Sequence, residues 1–167
     1  MHDELTEVDV QKMRDELRYR EEELMPKILE DVKVARSFGD LSENFEYKAA
    51  KTEQRKNMSR IRYLKQMISS AKIISAASAD DVAGLFDHVT LFLEDDDEEE
   101  TYTFVTTLRQ NALEGLISKE SPLGKAVLGH KVGERVYVQV SDDYGYWAQI
   151  RSIEKGVDDA SLDISSY

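Results

Sequence analysis

Ser37-Phe38-Gly39-Asp40-Leu41-Ser42-Glu43-Asn44-Phe45-Glu46-Tyr47 separates two stretches whose apolar residues recur every three or four positions. After it, Tyr47, Ala50, Gln54, Asn57, Ile61, Leu64, Ile68 and Ala71 form an unbroken heptad seam, the pattern of a helix that packs along one stripe. Before it, Val10, Met13, Leu17, Leu24, Ile28 and Ala35 keep a similar period. Facing residues of an antiparallel pair have a constant sum of numbers, and these two sets mate around a midpoint near residue 41. The spacing therefore predicts an antiparallel α-helical coiled-coil hairpin whose arms each extend ~45 Å. Two carboxylates, Asp40 and Glu43, stand at its end.

Pro26 falls inside the first arm, where a missing N–H and a bulky ring predict a bend or an interrupted turn. Arg20 falls on the seam opposite Ile61, so its stem is expected to pack while its guanidinium reaches water. Gly39 suits the left-handed position that ends a helix. Asp40-Leu41-Ser42-Glu43 fits a capping box for the next helix, with Asp40 as N-cap. The two carboxylates can thus be read as a cap, as a ligand pair, or as both.

The chain of 167 residues allows one or two small domains and contains no cysteine, which excludes disulfides and thiolate metal sites and fits a reducing cytoplasm. It has neither the apolar run of a membrane span nor the layout of a signal peptide. The net charge of −12 argues against a protein that coats nucleic acid. That charge is uneven: Met1 to Ser78 holds 15 acidic and 15 basic residues, and the remainder holds 19 and 7. Lys48 to Lys72 alone has eight cations against Glu53. The second helix is a basic element in an acidic protein.

Ser75 to Ala79 loses the heptad and reads as a linker, after which the period changes to two. Val89, Leu91 and Leu93 pair with the Tyr102 to Phe104 stretch across the acidic run Glu94 to Glu100, and Val136 to Val140 pairs with Tyr146 to Ile153. Ser121-Pro122-Leu123-Gly124 starts a short helix that Gly129 stops. The organisation expected is a hairpin at 1–76 with its acidic tip at 39–44, a small α+β domain at 80–155, and a loose polar tail at 156–167. Residues before about Val8 are expected to fray.

Metal binding at the tip is the sharper reading of Asp40 and Glu43. Mg²⁺ takes about six oxygen ligands, so two carboxylates supply only part of its shell and a second macromolecule must complete it. Lys48, Arg55 and Arg62, with Lys51, Lys65 and Lys72, share one flank of the second helix. That flank is either a solvated face paired to Glu21, Glu22 or Glu30, or a track for a phosphate backbone. Glu94 to Glu100 lacks the alternating ligands of a calcium loop and reads as a solvated turn. His2, His88 and His130 have no ligand spacing, and no nucleophile motif points to a self-contained enzyme.

Gly39-Asp40-Leu41-Ser42-Glu43-Asn44 with Glu46-Tyr47, Ala49-Ala50, Gln54, Arg60-Ile61 and Ala71 resembles the tip and second helix of the bacterial Gre transcript-cleavage factors. Ile117-Ser118, Ser121 to Ala126 and Leu128-Gly129 are similar to that family's C-terminal domain. The acidic balance leans towards its GreA-like rather than its more basic GreB-like members. The resemblance implies a monomeric, cytoplasmic accessory factor of bacterial RNA polymerase. Its coiled coil would enter the secondary channel and its FKBP-like domain would dock at the channel entrance, with Ser121, Pro122 and Leu123 as docking residues. Asp40 and Glu43 match the acids that help the polymerase hold a second Mg²⁺ and its water, none of it bound tightly by the isolated protein. Ser42, Asn44 and Tyr47 match tip positions that support them. Lys48, Lys51, Arg55 and Arg62 would lie along the nascent RNA 3′ end extruded by backtracking. A related architecture that occupies the channel without stimulating cleavage is the alternative. Phe45 departs from the family, which usually has a small residue there, and Phe38 adds a second aromatic.

Overall fold

The structure, a computed structural model, describes residues 4–40 and 43–166, and the chain divides into two compact units: Val10–Ala71, and the segments that precede and follow it. The first unit is helical. Helix α1 (Glu7–Tyr19) passes through a π-helical turn (Arg20–Leu24) into α2 (Met25–Arg36), and α3 (Phe45–Ser70) returns antiparallel, bringing Arg60 to Glu16, Asn57 to Arg20 and Asn44 to Ala35. The interruption expected at Pro26 takes the form of that π turn. Pro26 sits in the first turn of α2, and Met25 N–H bonds Arg20 O, five residues back. The widened turn supplies the room that a proline ring needs against the carbonyl four residues before it.

The seam is buried as the heptads require. Val10, Met13, Ile28, Ala35 and Leu64 are buried, joined by Val32, while Leu17, Leu24, Tyr47, Ala50, Gln54, Ile61 and Ile68 are half-buried. One layer is polar. Glu16 accepts from Arg60 through Nε (2.7 Å) and Nη2 (3.0 Å) and from Arg20 Nε (2.7 Å), and Arg20 Nη1 donates to Asn57 Oδ1 (2.9 Å). Arg20 is therefore held inside the hairpin, contrary to the expectation that its head escapes to water. Glu16 and Asn57 give the two guanidiniums acceptors inside the helical unit, which an isolated guanidinium would lack there. Burial pushes the Glu16 carboxyl up, but hydrogen bonds from Arg60 and Arg20 hold it below its ordinary value.

In the second unit, β1 (Glu4–Leu5) pairs in parallel with β2 (Lys72–Ile73), so Glu4 and Leu5 are not frayed and Leu5 is fully buried. Lys72 consequently belongs to a strand and leaves the basic flank of α3. A five-stranded sheet follows: β3 (His88–Leu93), β4 (Glu98–Val105), β5 (Leu116–Ser118), β6 (Arg135–Gln139) and β7 (Gly145–Glu154), in the order β5-β4-β3-β7-β6. Its pairs are antiparallel except β4 with β5, and a register shift between Thr90 and Leu91 adds to its curl. Val89, Leu91, Val136, Val138, Ala148 and Ile150 face a core closed by Leu123 and Val127 of α4 (Pro122–Val127). A Cβ on Gly124 would lie 2.6 Å from Ser118 O, so α4 can approach β5 only with glycine there.

The tail is not loose. Leu162 packs on the cluster of Leu85, Phe86, Val105 and Leu116, and Ser165 N donates to Leu108 O (2.6 Å). Asp158 and the Asp159 carbonyl bind the fully buried Arg109, whose Nε also donates to Asp9 Oδ1 (2.6 Å) while its guanidinium lies 4.9 Å from the Phe86 ring centroid. Lys155 Nζ donates to Asp87, Ser78, Ala79 and Val82, which fastens the stretch read as a linker.

Candidate functional site at the hairpin tip

The tip begins where α2 stops. Ser37 N–H reaches back to the Lys33 and Val34 carbonyls (3.3 and 3.1 Å), and Gly39 follows at φ +113, a backbone that disfavours any residue with a Cβ. Asp40 and Glu43 are exposed; Leu41 and Ser42 lie outside the described residues, so the part given to Ser42 is not visible.

The N-cap of α3 is Asn44 and not Asp40. Asn44 Oδ1 accepts from Tyr47 N–H (3.0 Å), and Asn44 Nδ2 donates to Ala35 O (2.7 Å) at the end of α2. A carboxylate could have capped the helix but has no donor for the second bond. One amide thus serves both helix ends, and the two acids do not serve as the helix cap. They lie together: Phe38, Asp40, Glu43, Asn44, Phe45 and Glu46 line one open depression. Tyr47 is half-buried beneath Arg36, whose guanidinium is 5.7 Å from its ring centroid.

Two exposed carboxylates in one depression offer oxygen ligands of the type a hard cation takes, but only part of a shell. Among the described residues no group of three His, Asp or Glu side chains could hold a metal. The donor set fits an ion shared with a partner that brings further ligands.

Along α3, Lys48, Arg55 and Arg62 are exposed and Lys51 is half-buried. Lys51 Nζ donates to Gln54 Oε1 (2.9 Å), Arg55 Nη2 to Thr52 Oγ1 (3.1 Å), and Lys48 Nζ stands 5.7 Å from the Phe45 ring centroid. Lys65 pairs across the hairpin with Glu21 (2.6 Å), so it behaves as solvated surface.

The docking residues expected on the second unit separate. Leu123 is core and Ser121 caps α4 by accepting from Gly124 N–H (3.0 Å); only Pro122 is exposed. Leu123 is therefore corrected from a surface contact to a core residue, because the apolar face of a two-turn helix must cover the sheet. The acidic run is shorter as a loop than expected, since Glu98, Glu99 and Glu100 belong to β4. Glu94 is clasped by Arg135 at 2.7 and 3.0 Å, which lowers its carboxyl. Two features had sequence signals that were passed over: Thr6-Glu7-Val8-Asp9 is a reciprocal cap, with Thr6 N–H on Asp9 (3.0 Å) and Asp9 N–H on Thr6 (3.3 Å), and Asn44 precedes the helical period directly. Arg109 had none.

Residues 4–73 match the family model for the N-terminal domain of transcription elongation factors, and residues 77–155 match that of the GreA/GreB C-terminal domain. The chain is 44% identical over 129 residues to transcription elongation factor GreA of Bacillus subtilis, covering 77% of this chain and 82% of that one. It is 43% identical over 136 residues to the same factor of Geobacillus kaustophilus, covering 81% and 86%. Among solved structures, GreA factor homolog 1 of Thermus thermophilus aligns over 91% of this chain and 98% of its own at 25% identity, with a TM-score of 0.42.

Proposed function

This chain belongs to the GreA/GreB family of transcription elongation factors, and on that premise we propose that it stimulates bacterial RNA polymerase to cleave backtracked nascent RNA. The observation that carries the reading is the tip. The exposed Asp40 and Glu43 lie in one depression at the end of a long helical hairpin, where Asn44 caps the returning helix. The hairpin acts as a coiled coil that enters the polymerase secondary channel, and the C-terminal unit, FKBP-like in fold, seats at the entrance with Pro122 on its surface. The protein works in the cytoplasm as a monomer and is not itself a hydrolase.

Asp40 and Glu43 would hold, through their carboxylate oxygens, an Mg²⁺ ion shared with the polymerase, and that ion would supply an activated water and charge stabilisation for hydrolysis of the phosphodiester. Asn44 holds the start of α3 against the end of α2, and so sets where those oxygens stand. Tyr47, whose N–H bonds Asn44 and whose ring faces Arg36, supports the same turn, and the family resemblance assigns Ser42 a supporting part. Lys48, Lys51, Arg55 and Arg62 neutralise phosphates of the extruded strand, an attraction that weakens as salt rises.

Incubation of a backtracked complex with the protein and Mg²⁺ should shorten the RNA, and Asp40→Ala or Glu43→Ala should return cleavage to the factor-free rate with polymerase affinity held within a few-fold. Normal cleavage by both variants would remove the acids from the mechanism. Tight binding with RNA of unchanged length would instead describe a regulator that only occupies the channel.

A further inference from the structure

On the proposed function rests a second reading of the tip: we infer that Phe45 stacks on an unpaired nucleobase of the extruded RNA, with Phe38 as a second aromatic wall. Phe45 is 80% exposed and Phe38 66%, the two most exposed large apolar side chains among the described residues of the helical unit. An exposed aromatic at a functional end is informative where a scattered one is not. Both line the depression that holds Asp40 and Glu43, an open hollow of about 590 Å³, within the ~300–1,000 Å³ usual for small ligands.

The lining divides the labour. The carboxylates repel phosphate except through a cation, so the strand can approach them only with its scissile phosphate on the metal and its base elsewhere. The aromatic rings supply that elsewhere, since every base has a π-face. Lys48, whose Nζ is 5.7 Å from the Phe45 ring centroid, sits where it can take the phosphate of the stacked nucleotide. Asn44, the amide in the lining, is fixed in orientation by its bonds to Tyr47 and Ala35 rather than turned toward a ligand. Recognition is therefore by stacking area, with purines held better than pyrimidines and no single base required. The shared depression favours RNA over a protein surface of the channel as the occupant.

The test uses intact backtracked complexes whose RNA 3′ nucleotide is 2-aminopurine, with Ca²⁺ in place of Mg²⁺ so that the tip acids keep a cation while the RNA is not consumed. The unsubstituted protein should quench the 2-aminopurine fluorescence, Phe45→Ala should not, and Phe45→Trp should restore it. With Mg²⁺, Phe45→Ala should slow cleavage about tenfold on a 3′ purine, the size of one lost base stack, and less than about twofold on an abasic 3′ end. Equal slowing on both ends would mean that the ring rests on the polymerase, and that result, unchanged rates, or quenching that survives loss of the ring would each overturn the inference. Wild-type protein that leaves the RNA uncut would sink the cleavage reading, whereas the fluorescence arm would still judge Phe45.

Discussion

Asn44 is the residue on which the tip turns, because its amide both accepts and donates. Asn44→Ala removes the α3 cap and the tie to Ala35 together and should destabilise the hairpin by about 1–2 kcal/mol, with faster hydrogen exchange at the Tyr47 amide as the local signature. Asn44→Asp keeps the acceptor and loses the donor, so it should fall between the two in a thermal unfolding series. The sequence pattern Asp40-Leu41-Ser42-Glu43 satisfied the capping-box spacing equally well. What decided between them was the carbonyl of Ala35, a partner nine residues away that only a donor could satisfy.

At the scale of the element, the hairpin combines apolar heptads with one polar layer beside the π turn. Glu16 is the hub of that layer, and its carboxyl is held below the ordinary 4.5 by Arg60 and Arg20 despite burial. A carboxyl depressed in the folded state stabilises above the unfolded value and loses that contribution as pH falls through the folded one. Glu16→Gln should therefore cost about 1–3 kcal/mol at pH 7, a penalty that shrinks below pH 4.5 and is read from denaturant midpoints at several pH values. The cations along α3 carry a separate expectation: neutralising Lys51 and Arg55 should weaken cleavage of long backtracks more than short ones, and the difference should fade in high salt. The heptads announced the arms and Pro26 announced an interruption, but the head of Arg20 was expected in water and nothing in the spacing singled out Arg60 as buried. Their burial depends on meeting Glu16 and Asn57, which spacing along one helix does not encode.

For the whole molecule, Arg109 gathers parts of the second unit that are far apart in the chain: the first turn of α1 through Asp9, and the C-terminal segment through Asp158 and the Asp159 carbonyl. Arg109→Met leaves Asp9 buried without its cation and should cost about 3–5 kcal/mol, seen as a lower midpoint for the unit's unfolding and as proteolytic release of the segment after Gly156. Asp158→Asn, at the more exposed end of the same cluster, should cost less.

The sequence by itself determined what is periodic or local: the two helical arms, their turn near residue 41, the alternating strands, the cap of α4 and the acids at the tip. A period of 3.6 or 2 is written into neighbouring residues and survives any tertiary context. The folded structure decided what is non-local: the parallel strand at Glu4–Leu5, the docked tail, the polar layer and the choice of Asn44 as cap. Each of these depends on a group finding its partner elsewhere in the chain, apolar for Leu5 and Leu162 and polar for Glu16, Arg20, Arg60 and Asn44, and such a partner exists only once the chain has folded.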